Sequence, residues 1–218
     1  MRNKLLGFSL VELLVVISII GILSAVLYAT FSEGSAQSRD AERQADIRNV
    51  QSALELYRNK YGNYPAGCNA VGSWSGQAGT SYACSSGNQY IVGLAPEFLP
   101  TLPVDTKLNG LNSGYVYTTN AEGTVYKFMA RGTVESEIVT FDHEFKSCDA
   151  DNSISSVPIC NATHPSNNRP NHCRDTNATF RTTYAVWSGF AQPPAAPTVS
   201  NYDLLTERYT EDVICDVP

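Results

Sequence analysis

The chain has no proline before Pro65, no cysteine before Cys68, and no basic residue between Phe8 and Phe31. A stretch this long without proline is free to run as one helix, because nothing removes a backbone donor or clashes with the preceding turn. The 24 residues from Phe8 to Phe31 carry a single charge, Glu12. About 20 apolar residues suffice for a helix to cross a bilayer. Basic groups are scarce overall, with 15 Lys and Arg against 21 Asp and Glu, for a formal charge of −6. Non-specific nucleic-acid binding needs Lys and Arg to displace counterions, so no direct nucleic-acid partner is expected. There is no Gly-x-Ser-x-Gly elbow, no His-Glu-x-x-His pair and no glycine loop to cradle a phosphate. His143, His164 and His172 lie in polar loop sequence, where an exposed histidine is the ordinary expectation. No catalytic arrangement stands out, and the chain is not expected to be an enzyme.

What is present begins with a short basic segment, Met1 to Gly7, holding Arg2 and Lys4. Its removal would take the side-chain charge from −6 to −8. A carboxylate near the start of an apolar span costs roughly 2.5–3.5 kcal/mol, so Glu12 asks for a partner. Cleavage after Gly7 would create one, the new ammonium on Phe8 of a neighbouring copy. The chain then makes sense as a subunit of an assembly. An ordinary cleaved signal peptide has a shorter apolar core ending in an Ala-x-Ala-like site. Here the apparent cut site is the basic-to-apolar boundary itself.

From Phe8 to about Tyr61 the pattern predicts one helix of two characters. The first half is apolar all round. Ser32 to Gln44 is polar, with Ala36, Ala41 and Ala45 sustaining helix propensity. Then Ile47, Val50, Leu54, Tyr57 and Tyr61 recur at spacings of three and four, a narrow stripe suited to a β-sheet. Arg58 and Lys60 suit the negative end of the helix dipole, Gly62 the C′ position, and Pro65 prevents resumption. At 1.5 Å per residue such a helix is on the order of 80 Å long. Only a shared assembly makes use of that shape.

Gly7-Phe8-Ser9-Leu10-Val11-Glu12, followed by Leu13-Leu14-Val15-Val16-Ile17, resembles the class III leader of type IV pilins and pseudopilins. In that family a prepilin peptidase cuts between the Gly and the Phe and methylates the new amino group, and the glutamate takes part in assembly. The resemblance carries those roles to Gly7, Phe8 and Glu12. It implies an inner-membrane subunit that leaves the bilayer and bundles its apolar helix into an extracellular filament. Its partners would be other copies, the prepilin peptidase, an assembly platform and a separate ATPase. Many members carry a proline about where Ala29 stands. It is absent here, so the resemblance does not carry over local melting of the helix, for which Gly21 and Gly34 are the remaining weak points. The implied fold is α+β, a long N-terminal helix packed on a small antiparallel sheet with disulfide-bonded loops. The segments are a leader (1–7), the helix (8–62, with 8–31 as membrane span or filament core) and a globular head (63–218). Ala53-Leu54-Glu55-Leu56-Tyr57-Arg58 through Tyr64-Pro65 also resembles major pseudopilins of type II secretion and some minimal pilins, and a competence system fits too. A cysteine-rich head larger than a typical major pseudopilin's favours a pilus. An anchored binding domain that never polymerises is the alternative of another class.

All six cysteines lie in the part that would leave the cytoplasm, where an even count reads as disulfides. Tyr64 to Gly87 reads as a loop closed by Cys68–Cys84, with pairing to later cysteines as the alternative. Lys146 to Asn177 is a long polar insertion holding Cys148, Cys160 and Cys173. Cys215 pins the tail, and four cysteines allow three pairings among which sequence cannot choose. The strongest strand signal is a hairpin, Gly114–Thr119 turning through Asn120–Gly123 into Thr124–Ala130. Alternation puts Val116 and Thr118 on one face and Tyr115 and Tyr117 on the other. Tyr126, Phe128 and Ala130 oppose Val125, Lys127 and Met129. Ser136–Phe145 is expected to add a short strand or turn, and Thr182–Trp187 a third main strand. Pro193–Pro197 is a stiff extended connector.

Metal chemistry is thinly supported. Cys160, His164, His172 and Cys173 could be drawn as zinc ligands, but adjacent His172 and Cys173 fit one tetrahedron poorly. Asp149-Ala150-Asp151-Asn152-Ser153 begins like a calcium loop, yet lacks glycine at its sixth position and has Cys160 where the bidentate Glu belongs. Major pseudopilins bind calcium through acidic residues in a late loop, and Asp142, Glu144, Asp149 and Asp151 supply comparable chemistry without aligning position by position. A solvated acidic loop is expected, with no cofactor. Asn161-Ala162-Thr163 and Asn177-Ala178-Thr179 match the glycosylation pattern and are expected to stay unmodified. Trp74, Tyr184, Trp187 and Phe190 are candidates for an adhesive surface or for core packing.

Overall fold

The computed structural model describes residues 9–70, 73–85, 89–140, 142–147 and 177–189. Its elements are α1 (Leu10–Tyr61), β1 (Ser75–Gly76), β2 (Gly114–Thr119), β3 (Val125–Arg131), α2 (Ala178–Arg181) and β4 (Tyr184–Gly189). The chain divides into two compact units, 1–39 and 40–218. In the first, α1 is helical throughout its share, as a proline-free run allows. No described helix is long and apolar enough to cross a membrane. The expected span, 8–31, includes position 8 and the side chains at 26–30, which lie outside the described set.

The second unit holds an antiparallel sheet in the order β1-β2-β3-β4. The hairpin forms as its alternation predicts, with Tyr117 opposite Phe128 and Thr119 opposite Tyr126. Asn120 fixes the turn, since its Oδ1 accepts the backbone N–H groups of Thr124 and Val125 at 2.8 and 3.0 Å. One sheet face carries Tyr115, Tyr117, Tyr126, Phe128 and Ala130 into the main core, where Ile47, Val50, Ala53 and Leu54 of α1 join them. The opposite face gathers a smaller cluster of Val116, Met129, Ala185 and Trp74, flanked by Tyr82 and Trp187. Leu54 and Ile47 are fully buried, whereas Tyr61, the last member of the expected stripe, is 49% exposed. Tyr61 lies beyond the reach of the sheet and packs at 4.5 Å on Tyr57 instead.

A buried ion cluster extends the stripe toward the start of this unit. Arg43 pairs through Nε and Nη2 with Asp105 (2.7 and 3.0 Å), and through Nη1 with Asp40 (2.6 Å) and Glu135 (3.1 Å). Burial alone would push the guanidinium pKa down. The bonds to Asp105, Asp40 and Glu135 outweigh it and hold the pKa above its ordinary value. Asp40 also accepts the N–H groups of Glu135 and Ser136 (3.0 and 2.6 Å), fastening that loop to the helix.

Of the short strand or turn expected at Ser136–Phe145, the described residues 136–140 and 142–145 take bends and turns, and Val134 and Val139 donate to the carbonyls of Thr182 and Arg181. Two expectations are corrected. The third main strand is Tyr184–Gly189, because Asn177 caps a short helix, α2, that takes up the preceding residues. Ser75–Gly76, expected as loop, adds an edge strand to β2.

Neighbouring leucines on α1 give a direct check of which face carries the sheet. Truncating buried Leu54 to Ala should cost about 2–5 kcal/mol. Truncating Leu56, 56% exposed, should cost about 0.5 kcal/mol or less. Denaturant unfolding in detergent measures both, and equal losses would contradict the assigned face.

Candidate functional site

Gly7 and Phe8 lie outside the described residues, and Glu12 is the described member of the expected assembly site. Four backbone N–H groups at a helix start lack intrahelical partners. Here Ser9 and Glu12 satisfy two of them reciprocally. The Ser9 N–H donates to Glu12 Oε2 at 3.1 Å, and Val11 N–H donates to Ser9 Oγ at 3.3 Å. Leu13 N–H donates to the Ser9 carbonyl at 3.2 Å. Ser followed three residues later by Glu is the sequence signature of this capping arrangement. Glu12 therefore holds a position where a carboxylate favours the helix dipole. Beyond this cap every large apolar side chain described from Leu10 to Leu23 is 48–85% exposed.

The head sites divide by what is described. Cys68 and Cys84 form the expected disulfide. Cys148, Cys160, Cys173, Cys215, Asp149, Asp151, His164, His172, Asn161 and Phe190 lie outside the described residues. No group of three or more His, Cys, Asp or Glu that could hold a metal occurs among the described residues. Glu144 is engaged with Arg48 at 2.9 Å. Asn177 Oδ1 accepts the Phe180 N–H at 3.1 Å, so this acceptor asparagine serves as a helix cap. Of the aromatics considered for adhesion, Trp74 and Tyr184 are buried and Trp187 is half-buried. His143, expected as exposed, is 20% exposed at its side chain. Its ring stacks on Tyr184 at 5.3 Å, and its Nδ1 accepts the Phe145 N–H at 3.0 Å.

A family model described as the prokaryotic N-terminal methylation motif matches residues 2–28. Over 89 residues the chain is 29% identical to the type IV major pilin protein PilA of Myxococcus xanthus. The N-terminal segment of the chain thus carries the methylation motif and is similar to that of a type IV major pilin. The match to the Myxococcus pilin covers 41% of this chain and 36% of the relative's length, so the chain spans about a third of that pilin. No solved structure matches. A pilin-like α+β fold agrees with the helix, the four-stranded antiparallel sheet and the Cys68–Cys84 bridge.

Two groups in the head are not apparent from the sequence pattern. Arg43 and Asp40 continue the stripe 40, 43, 47, 50, 54 at spacings of three and four, a periodicity visible once charged residues are admitted to it. Lys127 was placed on the correct face, but nothing in a lone lysine between Tyr126 and Phe128 announces complete burial. Its Nζ lies 5.7 Å from the Trp187 ring centroid, and burial pushes the amine down to about 7 from 10.5.

That shift has a measurable sign. Between pH 7 and its ordinary value, the unfolded chain keeps the Lys127 proton that the folded chain has released, so unfolding free energy rises with pH. The slope should approach about 1.4 kcal/mol per pH unit between about pH 7 and 9. The buried hydroxyls of Tyr117 and Tyr90, pushed up by burial, oppose this only as pH nears about 10. Denaturant midpoints taken across that range should flatten in Lys127→Met, and an unchanged slope in the variant would contradict the assignment.

Proposed function

We propose that the chain is a structural subunit of a type IV pilus-like extracellular filament. It would be cut between Gly7 and Phe8 by a prepilin peptidase, methylated on the new Phe8 amine, and polymerised through its N-terminal helix. The supporting observation is the exposed apolar surface from Leu10 to Leu23 behind the Ser9–Glu12 cap, within the matched methylation motif. A continuous apolar patch of this kind demands a cover, lipid before assembly and the helices of other copies after it. Glu12 would then exchange its Ser9 N–H for the Phe8 ammonium of an adjacent subunit, gaining a full opposite charge where water is excluded. The subunit would reside in the inner membrane first and on the cell surface afterwards. An assembly platform and a separate ATPase would supply the work. The relative's designation as a major pilin favours a pilus over a secretion or competence pseudopilus.

Glu12→Ala and Glu12→Leu separate processing from assembly. Both variants should be cut and retained in the membrane, with surface filaments reduced by an order of magnitude or more, as loss of a close charge pair of a few kcal/mol implies. Immunoblots of membrane and sheared fractions read this out. A normal filament yield from either variant would overturn the pairing role of Glu12.

A further inference from the structure

The sequence contains one Asn-Gly pair, Asn109-Gly110, and the fold displays it. Both residues are exposed in the turn that leads into β2. Gly110 adopts φ +85, and a Cβ placed there would meet no atom within 4 Å, so the space around its backbone is open. The Asn109 carboxamide is tied to the Gly132 carbonyl by an Nδ2 contact of 3.5 Å, at the weak limit for a hydrogen bond. Asn120 and Asn69, by contrast, are held firmly. Asn120 Oδ1 accepts two backbone N–H groups and its Nδ2 donates to Thr124 Oγ1 at 2.7 Å. Asn69 Nδ2 donates to the carbonyls of Trp74 and Tyr82 at 2.8 and 3.0 Å.

We propose that Asn109 is a site of spontaneous deamidation in the folded protein. The Gly110 backbone nitrogen attacks Cγ of Asn109, forming a new N–C bond and a five-membered imide. The C–N bond of the carboxamide breaks, and its nitrogen leaves as ammonia with the proton given up by Gly110. Water then opens either imide carbonyl, giving aspartate or an isoaspartyl linkage. One water enters, one ammonia leaves, and no oxidant or reductant is needed. Glycine permits the attack because it has no side chain to obstruct it. The product places a carboxylate two residues from Lys107. The isoaspartyl form also lengthens the backbone by one methylene. It does so inside a turn closed by Asn109 N–H to Ser113 Oγ (2.6 Å) and Ser113 N–H to the Gly110 carbonyl (3.3 Å). The next residue, Gly114, starts β2 at φ +105 with Leu108 and Gln77 packed against it, so the lesion falls at the entrance to the sheet.

The full chain in detergent, folded, is incubated in mildly alkaline buffer beside a denatured sample until half of the denatured Asn109 has converted. Mass spectrometry of the peptide following Lys107 then assigns aspartate and isoaspartate by position. Folded Asn109 should convert at a rate similar to the denatured chain and on the order of tenfold faster than Asn112 or Asn120, which precede residues bearing a Cβ. Retention of the Asn109 amide in the folded chain, or equal conversion at Asn120, would overturn the proposal. Gly110→Ala should slow the reaction on the order of tenfold, and an unchanged rate would overturn the imide route.

Discussion

An apolar helix surface that the chain leaves exposed sets the terms for the rest of the molecule. Between Leu10 and Leu23 the large side chains remain about half exposed or more. Covering what remains of them is worth on the order of 10 kcal/mol, at 1.5–3 kcal/mol for each full burial. That matches the entire stability of an ordinary domain, 5–15 kcal/mol. A carboxylate at the centre of a membrane span would oppose membrane residence by about 2.5–3.5 kcal/mol, and one at its edge by less. Burial therefore demands a cover for the helix. In the proposed filament Glu12 would choose among covers of similar apolarity, favouring a neighbour that offers a positive charge over lipid that offers none.

The head meets a different demand, because its share of α1 needs a cover on one side alone. Ile47, Val50, Ala53 and Leu54 supply apolar area, and the tyrosine-rich face of β2 and β3 receives it. Tyr115, Tyr117 and Tyr64 satisfy their hydroxyls at the margins of the core, whereas the Tyr126 hydroxyl is buried without a hydrogen-bond partner among the described residues. Tyr115 donates to Asp46 at 2.7 Å, Tyr117 to the Pro65 carbonyl at 2.7 Å and Tyr64 to Glu55 at 2.8 Å. Arg43 closes the core at the start of the unit by joining helix, Pro103–Asp105 lead-in and Glu135 loop. Removing one member of such a cluster strands buried charge, at a cost of about 3–5 kcal/mol. The cluster thus fixes where the loops attach more than it adds net stability.

The parts legible in the sequence were those governed by periodicity and backbone chemistry. The helix, its end at Tyr61 with Gly62 in the left-handed region, and the hairpin with its two faces follow from spacing of apolar residues and from turn-forming residues. The Cys68–Cys84 bridge followed from the short loop between those cysteines. What escaped depends on contacts between distant segments. Arg43 finds Asp105 and Glu135, which lie 62 and 92 positions away. Lys127 loses its water to Trp187 and the cluster around Met129, and no local pattern encodes that. Thr182 and Thr183 have strand propensity, yet Asn177 captures the preceding residues for a helix, and Thr182 ends as its C-cap. At the N-terminal site the sequence shows every residue of the cap, but a leader pattern accounts for Ser9 without its bond to Glu12, which only the structure displays.

The central claim is that a processed N-terminal helix joins copies of this chain into a filament. Material sheared from cell surfaces, viewed by electron microscopy and mapped at its N-terminal peptide by mass spectrometry, tests this most directly. Thin filaments containing this chain, with a first residue at Phe8 carrying an added methyl group, are the predicted result. A chain that keeps Met1–Gly7 and stays in the membrane as a monomer would contradict the account and identify an anchored head instead.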